Sequence, residues 1–170
     1  GKLSGELSEA SSRGRAAAAL AGSPASLAAL HAQAGQLLGP ESALVARVRA
    51  LHGYPVVLNA WASWCGPCRS EFSLFASASV RYGRQVGFLG VDTSDSPSEA
   101  QSFLAAHPVS YPSYQTASTS QFQSLLPQGL AGLPTTIFIN RSGQVAYVHT
   151  GQYDAQGSLD ADVQQYALGG

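Results

Sequence analysis

The sequence predicts a single α/β domain in which helices flank a central mixed β-sheet. Two short runs of apolar and β-branched residues, 55–61 and 86–92, are typical of strands buried on both faces. A segment with helical spacing, 65–82, separates them, and this order implies a right-handed crossover between parallel strands. Two further strands, 135–140 and 144–148, follow each other closely enough to form an antiparallel hairpin.

The length and composition fit one globular domain and argue against several classes of protein. The chain has 170 residues, 45% of them apolar, which is enough for a sizeable core. Charged residues make up 11% and the net charge is −1, so no strong field attracts nucleic acid. No apolar run approaches the roughly 18 residues that a membrane span requires. We therefore expect no nucleic-acid partner, and we also expect a monomer.

The first third of the chain divides into two parts. Residues 1–22 are small and polar, and three glycines interrupt any helical pattern, which predicts a flexible arm or linker. We expect any signal peptide or membrane anchor to lie upstream of it. Ser23 is a candidate N-cap, and leucines follow at helical spacing as far as Gly39, which can close that helix. With a second helix from Pro40, residues 23–52 are interpreted as a helical N-terminal extension.

Three weaker patterns complete the second half of the domain, which we take to run over 23–170. A capping box with proline at the first helical position predicts a helix over 96–106. Residues 109–115 are expected to be extended and 118–126 to form another short helix. A closing helix is predicted over 158–168.

The two cysteines of the chain stand in one motif, Cys65-Gly66-Pro67-Cys68, between a predicted strand and a predicted helix. Free N–H groups and the helix dipole favour a thiolate at Cys65, and the thiolate is the nucleophilic form. Cys68 lies nearly one turn further on the same face, where it can bond to Cys65. This context is typical of a redox site, in which Cys65 attacks a partner's disulfide and Cys68 resolves the mixed disulfide.

Two other uses of the cysteine pair are weaker. Half a zinc site would need two more ligands, but there is no other cysteine, and the four histidines lack paired spacing. A purely structural disulfide would constrain little chain entropy, because the loop that it closes is so short. We therefore expect no metal, and we expect no cofactor because the sulfur pair carries the electrons.

Residues 59–72, with the sequence NAWASWCGPCRSEF, resemble the active-site stretch of thioredoxin-like proteins, and most of all the extracytoplasmic TlpA/ResA/DsbE group. Residues 133–136 are similar to the second signature of that family, a loop with a cis proline opposite the cysteines. The segment 93–130 is similar to the insertion that marks this group. The resemblance covers roughly residues 53–168 and implies a thioredoxin-like fold, although the helical extension departs from the β-hairpin with which the family begins.

The resemblance also implies roles for individual residues. Cys65 matches the attacking cysteine and Cys68 the resolving one. Pro134 matches the cis proline, which shapes the groove and keeps the thiols from capturing a metal. Leu133 would offer its backbone to an extended partner peptide, and Trp64 would shape the edge of the site. The residues implied in substrate binding are Trp64, Gly66, Pro67, Leu133 and Pro134.

Glu71 is implied as an acid–base group. Proteins similar to ResA carry a glutamate three residues after the second cysteine, where this chain has Glu71. Thioredoxins instead carry a buried aspartate at the position of Asn59. A partly buried Glu71, one turn beyond Cys68, could relay a proton during exchange; the alternative is an exposed acid favoured by the helix dipole. Asp92 could approach the site from the end of its strand, although we expect it to lie at a solvated strand end; we also expect Arg69 to be solvated.

We predict a thiol–disulfide oxidoreductase that acts on protein thiols and disulfides outside the cytoplasm. Its partner is expected to be apocytochrome c or another redox protein. The Gly-Pro dipeptide between the cysteines favours a reductase. A peroxiredoxin-like peroxidase would have a threonine three residues before the cysteine, where this chain has Ala62. A non-catalytic substrate-binding module is the other alternative, and it should keep its activity when Cys65 is replaced by serine.

Overall fold

A computed structural model describes residues 2–116 and 122–169, and within these ranges six strands form one sheet. The strands are β1 (Leu37–Leu38), β2 (Val56–Trp61), β3 (Gly87–Thr93), β4 (Ser113–Thr116), β5 (Thr135–Ile139) and β6 (Val145–Thr150). Their order across the sheet is β1-β4-β3-β2-β5-β6. The pairs between β1, β4, β3 and β2 are parallel, whereas β5 is antiparallel to both β2 and β6. The predicted mixed sheet and the predicted hairpin are therefore confirmed.

Helices cover both faces of this sheet. They are α1 (Lys2–Leu20), α2 (Ala25–Ala32), α3 (Glu41–Ala50), α4 (Gly66–Tyr82), α5 (Pro97–Ala106) and α6 (Gln156–Asp162). Helix α6 continues as a π-helical turn over Val163–Leu168, and a short 3₁₀ turn occupies Phe122–Ser124. The helices predicted over 65–82, 96–106 and 158–168 are confirmed. Of the helix predicted over 118–126, residues 118–121 lie outside the described residues, and the described remainder contains only the 3₁₀ turn Phe122–Ser124.

The two faces of the sheet belong to two apolar clusters, because successive residues of a strand point to opposite sides. Val57 and Trp61 of β2 pack with α4, α5 and α6 in the cluster that also contains Cys65 and Cys68, which we call the site face. Leu58 packs with α2 and α3 on the opposite face. Both faces of β2 are therefore buried, as its continuous apolar sequence predicts.

Against the prediction that glycines interrupt any helical pattern over 1–22, residues 2–20 form helix α1. The alanines at 16–19 favour a helix, and each of the two interior glycines costs only about 1 kcal/mol relative to alanine. At its end Leu20 is 6% exposed, and α1 contacts both α2 and α4. Contact with the rest of the protein therefore overrides the weak local pattern.

The N-terminal extension is only partly helical, against the prediction for 23–52. Helix α2 ends at Ala32, and Gly35 has a φ of +74°, a left-handed conformation that glycine adopts without strain. Leu37 and Leu38 then form β1 and pair with β4 instead of extending a helix to Gly39. The second helix of the extension, α3, is confirmed.

Candidate active site

The two cysteines lie where β2 ends and α4 begins. Cys65 occupies the N-cap of α4, and Gly66 and Pro67 open its first turn. Proline is favoured there because its missing N–H would have no partner inside the helix. Cys65 and Cys68 are joined by a disulfide with their Cα atoms 5.3 Å apart. The spacing predicted from the sequence thus brings the two sulfur atoms together at a helix N-terminus.

The two cysteines differ in access and in their surroundings. Cys65 is 5% exposed, whereas Cys68 is completely buried. The backbone N–H of Cys68 donates to Sγ of Cys65 over 3.3 Å. A donor aimed at this sulfur, together with the helix dipole, stabilises negative charge there. Cys65 is therefore the sulfur that an incoming group can reach, and Cys68 stands behind it.

Glu71 lies one turn beyond Cys68 on α4 and is completely buried. Its Oε1 accepts a hydrogen bond from Nδ2 of Asn59 over 3.0 Å, and its Oε2 accepts one from the N–H of Tyr153 over 2.9 Å. Burial raises the pKa of Glu71 from 4.5 to about 7, although both hydrogen bonds lower it. The alternative of an exposed first-turn acid is wrong, and this carboxyl group exchanges its proton near neutral pH.

A cis peptide bond joins Leu133 to Pro134, the bond for which the resemblance implies a cis proline. Thr135, the first residue of β5, pairs with Ala60 near the end of β2. This register places the loop at the end of the sheet from which Cys65 emerges. The carbonyl of Pro134 accepts a hydrogen bond from the N–H of Gly151 over 2.8 Å, which ties the loop to the end of β6.

Trp64 is the large apolar side chain next to the disulfide, and it is 61% exposed. Its indole N–H donates to the carbonyl of Ser94 over 3.0 Å. An aromatic ring with one satisfied polar atom and an open face is a typical contact surface for a partner protein. Gly66 and Pro67 are exposed beside it, whereas Leu133 is half-buried and Pro134 is buried.

Two carboxyl groups beside the active-site loop are not among the predicted site residues. Asp92, at the end of β3, was expected in solvent but is completely buried. Asp95, three residues on, accepts hydrogen bonds from the backbone and the side chain of Ser63. The available signal was positional, because β2 and β3 are parallel and their carboxyl ends meet at one edge.

Two further observations concern only residues 2–116 and 122–169. No group of three or more His, Cys, Asp or Glu side chains there is placed to hold a metal ion. None of the helices in those ranges combines the length and the apolar character that crossing a bilayer demands.

Arg69 is exposed, as predicted, but its guanidinium lies 5.5 Å from the centre of the Phe103 ring and donates to the carbonyl of Ser63.

Residues 39–165 match the protein family described as Redoxin. The chain belongs to the Redoxin family. Over 102 residues this Redoxin chain is 32% identical to the thiol-disulfide oxidoreductase ResA of Bacillus subtilis strain 168, a match that covers 59% of this chain and 55% of that protein. Over 95 residues it is 32% identical to the thiol:disulfide interchange protein DsbE homolog of Paracoccus denitrificans, covering 56% of this chain and 50% of that protein. The match thus spans about half the length of these relatives.

Solved structures agree with this membership. A DsbF homologue from Corynebacterium diphtheriae superposes with a TM-score of 0.60 at 28% identity, over 66% of this Redoxin chain and 72% of that one. A thiol:disulfide interchange protein of the thioredoxin family from Chlorobium tepidum gives a TM-score of 0.61 at 24% identity, over 69% and 83%. The predicted thioredoxin-like fold and the resemblance to ResA and DsbE proteins are confirmed.

Proposed function

We propose that this Redoxin is a thiol–disulfide oxidoreductase that exchanges its Cys65–Cys68 pair with thiols and disulfides of partner proteins. The observation that carries the proposal is the position of Cys65 at the N-cap of α4, with the N–H of Cys68 aimed at its sulfur. The names of the matched relatives, thiol-disulfide oxidoreductase and thiol:disulfide interchange protein, support the same chemistry. Two electrons pass in each cycle, and the cysteine pair carries both.

In the reducing direction, the thiolate of Cys65 attacks one sulfur of the partner's disulfide. A mixed disulfide forms, the partner's S–S bond breaks, and the released sulfur takes up a proton. Cys68 then loses its proton and attacks Sγ of Cys65. The mixed disulfide breaks, the partner leaves as a dithiol, and the Cys65–Cys68 disulfide is formed. The reverse sequence oxidises a partner dithiol and restores the two thiols.

Within this mechanism we assign Glu71 as the base that takes the proton from Cys68. Both residues are completely buried on the same side of α4, three positions apart, so solvent is a poor acceptor there. A carboxyl group with a pKa of about 7 can both accept and return a proton at neutral pH. The hydrogen bonds from Asn59 and Tyr153 hold the carboxylate in place.

The partner segment is proposed to bind between two edges of the site. One edge consists of Trp64, Gly66 and Pro67, which are exposed in front of the disulfide. The other is the Leu133–Pro134 loop, whose backbone would pair with an extended segment. We further propose that the protein works outside the cytoplasm as a reductase, with apocytochrome c or another redox protein as its partner.

Insulin, a small protein with disulfides, provides the direct test. The reduced protein should reduce insulin, a Cys68→Ser variant should accumulate a mixed disulfide through Cys65, and the matched Cys65→Ser variant should form none. Mass spectrometry of unreduced samples identifies the linkage. Absence of both exchange and adduct would overturn the proposal. Full activity of Cys65→Ser would instead favour a binding module, and rapid consumption of hydrogen peroxide by the protein alone would favour a peroxidase.

A further inference from the structure

The two residues that precede Cys65 are held by the segment that follows β3. We call these residues, Ser63 and Trp64, the lip. The N–H of Ser63 donates to Oδ2 of Asp95 and the hydroxyl of Ser63 donates to Oδ1, both over 2.7 Å. The indole N–H of Trp64 donates to the carbonyl of Ser94 over 3.0 Å. Three hydrogen bonds therefore fix the lip to residues that lie 30 or more positions later in the chain.

The segment that makes these bonds is itself constrained. Ser94 has a φ of +51°, a left-handed conformation that is uncommon outside glycine and persists only where the surroundings hold it. Oδ1 of Asp95 also accepts the N–H of Ser96 over 2.9 Å, and Ser96 is the N-cap of α5. The Asp95 carboxylate is therefore anchored to the start of a helix that packs on the site face.

Asp92 lies behind Asp95 and interacts with it. Nε2 of Gln115 donates to Oδ2 of Asp92 over 3.3 Å and to the carbonyl of Asp95 over 3.2 Å. Oδ1 of Asp92 is buried and receives no hydrogen bond from a donor in the described part of the chain. A proton on the Asp92 carboxyl group would make it a donor to the Asp95 carboxylate and would leave one negative charge on the pair.

The electrostatics of the pair agree with this arrangement. Burial, and then the hydrogen bond and negative charge of Asp95, raise the pKa of Asp92 to about 8. Burial alone would raise the pKa of Asp95, but hydrogen bonds from Asp92, Ser63 and Ser96 together lower it. Asp95 supplies the charge that acts on Asp92. Besides Asp95, the charged residues on the flanking helices are Glu41, Arg47 and Arg49 of α3, Arg69, Glu71 and Arg81 of α4, and Glu99 of α5.

We propose that Asp95 is a positioning residue that holds the lip ready for a partner protein, and that Asp92 in its protonated form keeps Asp95 in place. The inference rests on the proposed exchange function and deepens it. A lip that is already ordered presents Trp64 to the partner without an entropic cost at binding. A small disulfide needs only Cys65, so it gains little from an ordered lip.

Reduction of insulin and reduction of oxidised glutathione, compared in steady state, test the assignment. In Asp95→Ala the KM for insulin should rise by about tenfold, the order expected when charge-assisted hydrogen bonds are lost. The rate with oxidised glutathione should change far less. The matched control is Asp154→Ala, which removes an exposed carboxylate that accepts from Nε2 of Gln152 and not from the lip, and it should leave the KM for insulin unchanged.

The pH dependence separates positioning from a general loss of structure. Above about pH 8 Asp92 ionises beside Asp95, so the KM of the wild type for insulin should rise between pH 7 and 9. Asp92→Asn stays neutral and can still donate to Asp95, so this rise should disappear. An equal rise in both proteins would contradict the role of Asp92.

Failure of the inference and failure of the proposed function are distinguishable. A wild type that reduces neither substrate overturns the function. A wild type that reduces insulin, with an unchanged KM in Asp95→Ala, overturns only the positioning role. If circular dichroism shows that Asp95→Ala does not fold, Ser63→Ala tests the positioning role instead. This variant removes only the hydrogen bond from the Ser63 hydroxyl to Asp95. Its KM for insulin should rise by about threefold, and an unchanged KM overturns the inference.

Discussion

Glu71 holds its proton more tightly in the folded protein than in the unfolded chain. Its pKa is about 7 in the fold and 4.5 as an ordinary value, because burial outweighs the hydrogen bonds from Asn59 and Tyr153. Between these two pH values the unfolded chain releases the proton while the native protein keeps it. The free energy of unfolding therefore falls as the pH rises from about 4.5 to about 7, and this contribution levels off above pH 7.

Replacing Glu71 by glutamine should remove this titration. Relative to the wild type, the free energy of unfolding of Glu71→Gln should increase between pH 5 and pH 8 by roughly 1–3 kcal/mol, since one unit of pKa shift corresponds to about 1.4 kcal/mol. The new amide keeps an acceptor for the N–H of Tyr153. If the side-chain amide of Asn59 rotates, the glutamine can also donate to its Oδ1, which has no hydrogen-bond partner among the described residues. Urea unfolding of the oxidised proteins at each pH measures the difference.

The same substitution should slow the chemistry that we assign to Glu71. Resolution of the mixed disulfide by Cys68 should be about a hundredfold slower, and its inflection near pH 7 should be lost, because the base is gone. Rapid-quench measurements of the mixed disulfide follow this step. Glu99→Gln, which changes an exposed acid on α5, is the matched control. A stability difference that stays flat with pH, together with an unchanged resolution rate, would contradict the assignment.

Secondary-structure elements were predictable where their pattern is local. The run 55–61, the helix that follows it and the hairpin over 135–148 have periodicities of their own, and all three are confirmed. Strand β1 has only two residues and exists because β4, more than 70 positions later, offers it a partner. Helix α1 likewise depends on contacts that its weak local pattern does not reveal.

The residues of the candidate site likewise divide into those that a local pattern predicts and those that it does not. The Cys-x-x-Cys pattern between a strand and a helix predicts Cys65 and Cys68, and the resemblance adds Glu71, because all three lie within one continuous motif. Asp92 and Asp95 lie on another element, and only the predicted parallel pairing of β2 with β3 indicates that the end of β3 lies near the lip; the spacing of the motif does not show it. The burial that sets a pKa is a property of the packed molecule, so it too becomes visible only in the structure.

Two glycines test how an element boundary is set. Gly35 turns the chain between α2 and β1 with a positive φ, whereas Gly157 lies in the first turn of α6 without one. A Cβ at either position would meet no atom within 4 Å, so only the backbone conformation distinguishes them. Gly35→Ala should lower the free energy of unfolding by about 1 kcal/mol, and Gly157→Ala should raise it by about 0.4–1 kcal/mol. Equal effects in urea unfolding would contradict this explanation of the boundary.

At the scale of the whole molecule, the sheet separates the part that carries the chemistry from the part that only supports it. The site face contains both cysteines, and helix α6 is tied to it through Nε2 of Gln156, which donates to the carbonyl of Leu74 on α4 over 3.0 Å. The loop before α6 carries Tyr153, whose N–H binds Glu71. The docking of α6 therefore affects the acid–base group directly, whereas α2 and α3 pack on the opposite face.

Matched leucines on the two faces test this separation. Leu159 of α6 and Leu44 of α3 are both completely buried, so replacing either by alanine should cost about 2–5 kcal/mol of unfolding free energy. Leu159→Ala should also shift the pH dependence of insulin reduction near pH 7, because a loosened α6 carries Tyr153 away from Glu71. Leu44→Ala should leave that pH dependence unchanged at temperatures where the variant is folded. Urea unfolding and pH–rate profiles of the two variants provide the comparison. A comparable shift of the pH dependence in Leu44→Ala would contradict the separation, because the opposite face would then also set the proton affinity of the site.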